Sequence, residues 1–421
     1  MRISRLLKFI SVLSLVAFLV NGCGEQKKTQ GEDVVSFWHF WSEPNQKKVL
    51  DSLIDVFESE YNVNVETTEL SWNDGKTKLF AAFNSGTAPD VLELGSDWIG
   101  QFSSAGVLKE IDDKYIDFGK FKEFSKKPVF WEAKKYAVPW LVDTRVLFIN
   151  HKLLEDAGEP VTPPDTYTEM LSRIGKINVK KGLYGFGATG SDSHRLYKKL
   201  LSFFWSNGGE VMNQELSPTI NLPENIKALE MYAQLASNGM VETQRQLDAA
   251  FAQGKMAYWI SGGWLIEKID NMNPDLEYSV GMVPGFDGHE GISFAGGEYL
   301  SINKDTENKE TAKKLVKFLT DGKNAIEFCK KLNEAAFPAD KEYFNAPYYY
   351  DHPKRQKFAE QLEKAKMTPV HPKWLQIEAI LENAAVKALY GEATPSETLS
   401  AAQEEVLELL GQDTGTQIMN E

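Results

Sequence analysis

The chain has 421 residues, 42% of them hydrophobic, which is ordinary globular material and enough for two domains rather than one small core. Asp and Glu (60) outnumber Lys and Arg (46) for a formal charge of −14, and no basic stripe follows the first ten residues, so nucleic-acid binding lacks its electrostatic footprint. The six His are scattered, with no pair at ligand spacing, and nothing calls for a metal or another cofactor.

Residues 1–23 read as a targeting segment. Arg2, Arg5 and Lys8 form a basic start, and Phe9 to Val20 form an apolar stretch too short to span a bilayer. The stretch ends in Leu19-Val20-Asn21-Gly22-Cys23, which resembles the lipobox of bacterial lipoproteins. That resemblance implies cleavage before Cys23, lipidation on it and an extracytoplasmic, membrane-anchored location. The other cysteine, Cys329, lies in a helical pattern and has no partner for a disulfide. Residues 24–32 are polar, contain glycine and lack periodicity, as a flexible tether does.

The folded part begins with a short apolar strand, Val34 to Trp38, and the loop Phe40-Trp41-Ser42. Val49, Leu50, Leu53, Ile54 and Phe57 then recur at helical spacing, and Val63 and Val65 alternate in a second strand. A helix carrying Leu79, Phe80 and Phe83 leads to the strand Val91 to Leu94 and the loop Gly95-Ser96-Asp97-Trp98. This alternation predicts a mostly parallel sheet covered by helices, with ligand beyond the carboxyl ends of its strands.

Tyr136 to Asn150 (YAVPWLVDTRVLFIN) is apolar at both ends, yet Asp143, Thr144 and Arg145 interrupt it. A strand buried on both faces tolerates such charges only with partners. Two readings follow: a local ion pair at a strand end, or a crossing between two domains with the polar trio at the cleft. The rest of the chain favours the crossing.

Thr166 to Glu169 is a capping box, and Thr394-Pro395-Ser396-Glu397 is a second helix start. Gly185 to Gly190 spells G-x-G-x-x-G, but no second strand with an acidic end closes a dinucleotide-binding unit, so a Gly-rich strand and turn is expected. Leu196 to Trp205 is an apolar-rich helix. Gly262 and Gly263 precede Trp264, where backbone can approach a ligand closely; Trp264 itself suits a core or a cleft equally. Phe294 to Asn303 (FAGGEYLSIN) looks like a return crossing, and Pro369 and Pro372 interrupt the helical C-terminal region.

Together, PDVLELGSDW (89–98), YAVPWLVDTRVLFIN (136–150), FAQGKMAYWISGGW (251–264) and GGEYLSIN (296–303) resemble the bacterial extracellular solute-binding proteins of family 1, the maltose-binding-protein-like sugar receptors of ABC importers. The resemblance covers nearly the whole chain after the tether. It implies an α/β, two-lobe periplasmic-binding-protein fold of type II-like form, with a ligand cleft between lobes joined by three hinge crossings. Lobe one would take residues 33–142 and 294–338, and lobe two 143–293 and 339–421. The ligand contacts it implies are Trp41, Ser42, Asp97, Trp98, Asp143, Arg145, Trp205, Gly263, Trp264, Glu298 and Trp374. The implied partners are a carbohydrate and the permease subunits of an ABC transporter, for a protein that is a monomer.

The residue types agree, because sugars stack C–H faces on aromatic rings and give hydroxyls to acceptors. With Arg145 as the only cation recognised beside Asp97, Asp143 and Glu298, the expected ligand is a neutral sugar or oligosaccharide. The enzyme alternative is a lipid-anchored glycoside hydrolase using Asp143 and Glu298, which needs two carboxyl groups roughly 5 to 10 Å apart.

Overall fold

A computed structural model describes residues 33–177, 182–190, 192, 194–334 and 336–418. The targeting segment with Cys23 and the tether at 24–32 lie outside the described residues. No described helix is long and apolar enough to cross a membrane.

Two sheets organise the chain. The larger runs, in spatial order, through the strands Phe337–Pro338, Val138–Thr144, Ser293–Ile302, Val91–Gly95, Asp33–His39 and Val63–Glu69. The strand Asp33–His39 is parallel to both Val63–Glu69 and Val91–Gly95, as the strand-helix alternation predicts. Ser293–Ile302 lies antiparallel to Val91–Gly95 and to Val138–Thr144, so the sheet is mixed rather than mostly parallel. Sequence alternation reported the N-terminal half only; the antiparallel strands enter from residues far along the chain. The smaller sheet runs through Tyr278–Gly281, Val146–Asn150, Met256–Ser261, Tyr184–Thr189 and Gly239–Glu242.

The stretch 136–150 is the first crossing between the sheets. Val138–Thr144 belongs to the larger and Val146–Asn150 to the smaller, with Arg145 between them. Both segments are almost entirely buried, so apolar side chains flank the crossing on either side. A return crossing starts the strand Ser293–Ile302: Phe294 packs on Tyr197 of the second lobe, and Ala295 pairs with Thr144 of the larger sheet. This strand shifts register between Glu298 and Tyr299, opposite Pro139, which has no N–H to give to the ladder.

The third crossing comes later than residue 338. Phe344 and Tyr349 still pack on Phe337 of the larger sheet, with ring centroids 5.0 and 4.1 Å away. The helix Pro353–Leu362 then bridges both parts: it lies against Val138–Thr144 of the larger sheet, while Phe358 packs on Phe148 of the smaller at 6.2 Å and Gln361 Oε1 accepts from Val283 N at 2.8 Å. The helices Trp374–Leu389 and Pro395–Ile418 pack mainly on each other and on the second lobe's helices, with the start of the former also touching the helix Ile99–Ser104 of the first. Aromatic residues 343–350 carry no mark of which sheet they face, which is why the sequence placed the exit too early.

Local rules hold where they were read. Thr394 and Glu397 exchange both capping hydrogen bonds. Thr166 accepts from Glu169 N, while Glu169 reaches one residue further back, to Asp165 N. The glycines of 185–190 sit in the buried strand Tyr184–Thr189; a Cβ at Gly187 would stand 2.6 Å from the Trp259 ring.

Candidate functional site

The two lobes meet over the face of the strand Ser293–Ile302 that carries Phe294, Gly296 and Glu298. Glu298 pairs across the ladder with Gly95, and Gly296 with Asp143. A Cβ at Gly95 would lie 2.7 Å from Asp97 Oδ1 and 3.4 Å from the Trp72 ring. One at Gly296 would lie 2.9 Å from Asp143 Oδ1. Glycine at these two positions therefore makes room for two carboxylates beside Glu298. Asp97, Asp143 and Glu298 thus gather on one face of the larger sheet.

Arg145 stands at the crossing. Its Nη1 donates to Asp143 Oδ2 at 2.7 Å, and its guanidinium lies 5.1 Å from the Trp264 ring centroid and 5.4 Å from that of Phe294. Both readings of the D-T-R interruption therefore hold together: an ion pair, placed at the crossing. The paired geometry matters because a carboxylate and guanidinium this enclosed are tolerated only as partners.

Trp264 is half-buried and begins the helix Trp264–Met272. A Cβ at Gly262 would sit 2.0 Å from its ring, so Gly262 lets the indole fold back over the turn. Gly263 is buried and immediately precedes the helix. The indole N–H donates to Asp248 Oδ2 at 3.0 Å. Asp248 Oδ1 accepts from Trp259 Nε1 at 2.7 Å, from Ser261 Oγ at 2.9 Å and from Gln244 Nε2 at 2.9 Å. A carboxylate with four donors is a rigid mount for the ring.

Three other tryptophans are corrected. Trp41 is 5% exposed and packs edge-on against Trp140 and Phe328 in the first core. Trp205 is 4% exposed and donates to Glu210 Oε2 within the second lobe. Trp374 is fully buried as the first residue of its helix, 6.2 Å from Tyr197, rather than on the Pro-flanked loop. A loop position exposes a ring only if its neighbours leave that side open, and sequence does not report which side that is. Ser42 is exposed beyond the first strand. Trp98 is buried between Phe40, Trp72 and His194, the last from the opposite lobe.

The helix Leu196–Ser206 supplies what sequence reading missed. Tyr197 donates through its hydroxyl to Asp97 Oδ2 at 2.7 Å, across the lobes. Lys198 Nζ lies 5.7 Å from the Trp72 ring centroid and 5.4 Å from that of Phe294. Lys199 hydrogen-bonds Gln244 Oε1, and Arg195 pairs with Asp192. Glu382 accepts from the backbone N–H of His194 and Tyr197, each at 3.1 Å, and so fixes the helix start. Adjacent lysines within an otherwise apolar run, RLYKKLLSFFW, were the available signal. Arg145 is accordingly not the only cation: Lys76, Arg195, Lys198 and Lys199 share the electrostatics of the cleft.

Burial dominates the titration here. It raises the Glu298 carboxyl well above the usual carboxylate range, reinforced by the nearby Asp143. It lowers the Lys198 and Lys199 ammonium groups, with Arg145 adding to the effect on Lys199. It pushes His194 down to about 4, where the ring is neutral and hydrogen-bonds Glu378. No cluster of three or more His, Cys, Asp or Glu among the described residues is arranged to hold a metal ion. An open hollow of about 600 Å³ lies elsewhere on the first lobe, between Ile116, Phe118, Lys127 and Lys135.

Residues 41–326 match a family described as bacterial extracellular solute-binding protein. The galactooligosaccharide-binding protein of Bacillus subtilis (strain 168) is 23% identical over 421 residues, spanning 96% of this chain and 97% of that one. The maltodextrin-binding protein MdxE of the same organism is 24% identical over 413 residues, spanning 95% and 97%. Among solved structures, an ABC transporter solute-binding protein from Thermotoga lettingae, bound with α-D-tagatose, aligns with a TM-score of 0.83 at 25% identity, over 90% of this chain and 100% of the other. Maltose-bound MalE3 of T. maritima aligns with a TM-score of 0.80 at 23% identity, over 89% and 99%. The fold is the two-lobe α/β periplasmic-binding-protein fold.

Proposed function

The chain belongs to the bacterial extracellular solute-binding protein family, and from that premise we propose that it is the sugar- or oligosaccharide-binding component of an ABC importer. Binding occurs in the cleft between the lobes, by hinge closure, and the loaded protein delivers its cargo to the permease subunits. The family is one of binding proteins, and the glycosidase alternative is not carried forward.

The observation that carries this reading is the partly buried Trp264 ring, mounted by Asp248 and lying under Arg145, the partner of Asp143, where the lobes meet. A flat apolar face next to carboxyl acceptors is what a sugar's C–H face and hydroxyls require. Similarity to galactooligosaccharide- and maltodextrin-binding proteins supports the same class. The ligand is neutral, on a ground other than a lone cation. Arg145 is already paired with Asp143 and Arg195 with Asp192, so the cleft holds both signs in balance.

The soluble protein lives outside the cytoplasm as a monomer, held to the membrane through acyl chains on Cys23. More than one chain is needed for a stable anchor. Mass spectrometry of the mature N-terminus tests this, and an unmodified start at any other residue overturns it. A thermal-shift screen against maltose, maltotriose, galactobiose and α-D-tagatose tests the sugar reading. A ligand at 100 times its Kd should stabilise by about 2.7 kcal/mol. No shift with any of a broad set of mono- and oligosaccharides would sink it.

A further inference from the structure

Two polar side chains in the cleft make no hydrogen bond or ion pair among the described residues. Lys198 makes no hydrogen bond and no ion pair with any described residue, and its ammonium sits among the rings of Trp72, Tyr197 and Phe294 at 5.4 to 5.7 Å. The Glu298 carboxyl likewise accepts and donates nothing within the described chain. Their neighbours are all engaged: Asp97 by Tyr197, Asp143 by Arg145, and Asp248 by four donors.

The two groups come from opposite lobes and converge. Lys198 lies in the first turn and a half of the helix Leu196–Ser206, which runs along the start of the strand Ser293–Ile302: Ser202 Oγ donates to Ile292 O at 2.7 Å, and the Tyr197 and Phe294 rings are 5.9 Å apart. Glu298 follows Phe294 by four residues on that strand and shares its face with Gly296. Both residues are partly buried, and the Lys198 charge acts on the Glu298 carboxyl, so the two groups sit near one another with hydrogen-bonding capacity that the protein leaves unused.

We propose that Lys198 and Glu298 together hold one pair of adjacent hydroxyls of the bound sugar, and that Lys198 is a specificity-determining residue of this site. Lys198 donates to one hydroxyl oxygen, and the Glu298 carboxyl bonds the neighbouring hydroxyl. The ammonium has only donors, so it reads an oxygen and rejects a position that lacks one. Burial raises the Glu298 carboxyl above the usual carboxylate range, and a carboxyl that can take up a proton can meet a hydroxyl as acceptor or as donor. A site built to hydrogen-bond a substrate hydroxyl discriminates strongly against the analogue that lacks it, because its buried groups are then unpaired. This inference rests on the sugar reading and adds to it which part of the sugar is recognised, and by what.

Calorimetry on the full soluble domain tests it, using whichever of maltose, maltotriose, galactobiose and α-D-tagatose binds best, together with its monodeoxy analogues and D-glucuronate. Two analogues, lacking one or other of a single adjacent pair of hydroxyls, should each bind wild type at least tenfold more weakly than the parent. Lys198→Met should weaken the parent sugar at least tenfold, and should bind the analogue lacking its hydroxyl nearly as well as the parent. Glu298→Gln keeps a donor and an acceptor and should lose only a few-fold, whereas Glu298→Ala should lose tenfold. Parent affinity within threefold of wild type in both Lys198→Met and Glu298→Ala would overturn the proposal and leave the sugar reading standing. Preference of wild type for D-glucuronate over every neutral sugar would overturn it as well, with Lys198 then serving a carboxylate. Failure of wild type to bind any of the sugars overturns the sugar reading itself, and this inference with it. The deoxy series on wild type needs no variant to fold.

Discussion

Tyr197 and Asp97, one hundred residues apart and on opposite lobes, are joined by a 2.7 Å hydrogen bond in which the phenol donates to Asp97 Oδ2. Both side chains are buried, Tyr197 completely. Burial and the neighbouring Asp97 charge raise the phenol well above its ordinary range, so it remains a donor at any physiological pH. The bond exists only while the lobes are together. It therefore favours the closed form, and ligand need supply only the remainder of that preference.

Tyr197→Phe removes the donor and keeps the ring. A hydrogen bond to a charged acceptor contributes about 1.5 to 3 kcal/mol net. Loss of that preference should open the unliganded protein and weaken sugar binding by about tenfold or more. Small-angle scattering should report a larger radius of gyration for the ligand-free variant, with the difference shrinking at saturation. Identical radii and affinities would mean that the contact contributes nothing to closure.

Asp248 touches no ligand in this account, yet it fixes the ring that does. Asp248→Asn keeps the shape but introduces an N–H₂ group facing donors from Trp259, Trp264, Ser261 and Gln244. At least one buried donor then loses its acceptor, at a cost of about 1 to 3 kcal/mol. The expected result is a Tm lower by several degrees, together with weaker sugar binding. Near-UV circular dichroism should change as well, since two indoles lose their shared acceptor. An unchanged spectrum and Tm would show that the network is not what holds Trp264.

The sequence disclosed the fold best where polar groups interrupt apolar runs. Asp143-Thr144-Arg145 inside a buried stretch, and Gly296-Gly297-Glu298 inside another, are costly unless something special happens there. Both proved to lie where the lobes meet. Single tryptophans were poor guides: Trp41, Trp205 and Trp374 occupy loop-flanked positions in sequence and core positions in space. The cleft's Tyr197 and Lys198 stayed hidden because a lysine in an amphipathic helix ordinarily points to water. Only the return of the strand Ser293–Ile302 beneath that helix brings Lys198 indoors. Contacts between residues a hundred apart have no local pattern to reveal them.

Glu93 gives a pH prediction. It is fully buried; Oε2 accepts from Phe40 N at 3.0 Å and Oε1 has no partner. Burial pushes its carboxyl up to about 8, against 4.5 in the unfolded chain. A raised acid favours folding fully below the unfolded value, and that contribution is lost as pH climbs through the folded value. Glu93→Gln retains an acceptor for Phe40 and cannot ionise. Its Tm relative to wild type should therefore rise between pH 5 and pH 9, ending above wild type by about 2 °C or more. Comparing the two proteins at each pH cancels every group they share. A difference that stays flat across this range would place Glu93 in an environment far more solvated than its burial implies.

Trp264 decides between a core and a cleft tryptophan. One face of its indole is covered by the Arg145 guanidinium at 5.1 Å, its N–H is fixed by Asp248, and the residue is only partly buried. A ring held so firmly on one side, and open on another, loses little freedom when a sugar stacks on it. Trp264→Ala should weaken sugar binding by more than tenfold. The fold should survive, because the side chain is only partly buried and its removal opens the cleft rather than a sealed cavity. Asp248 keeps three of its four donors in the variant, and Arg145 keeps Asp143. Calorimetry measures the first half and thermal melting the second. A cooperative melt within a few degrees of wild type, with binding lost, is the expected pair of results. Full affinity would remove Trp264 from the site, and an unfolded variant would mean that its packing on Arg145 is what joins the lobes.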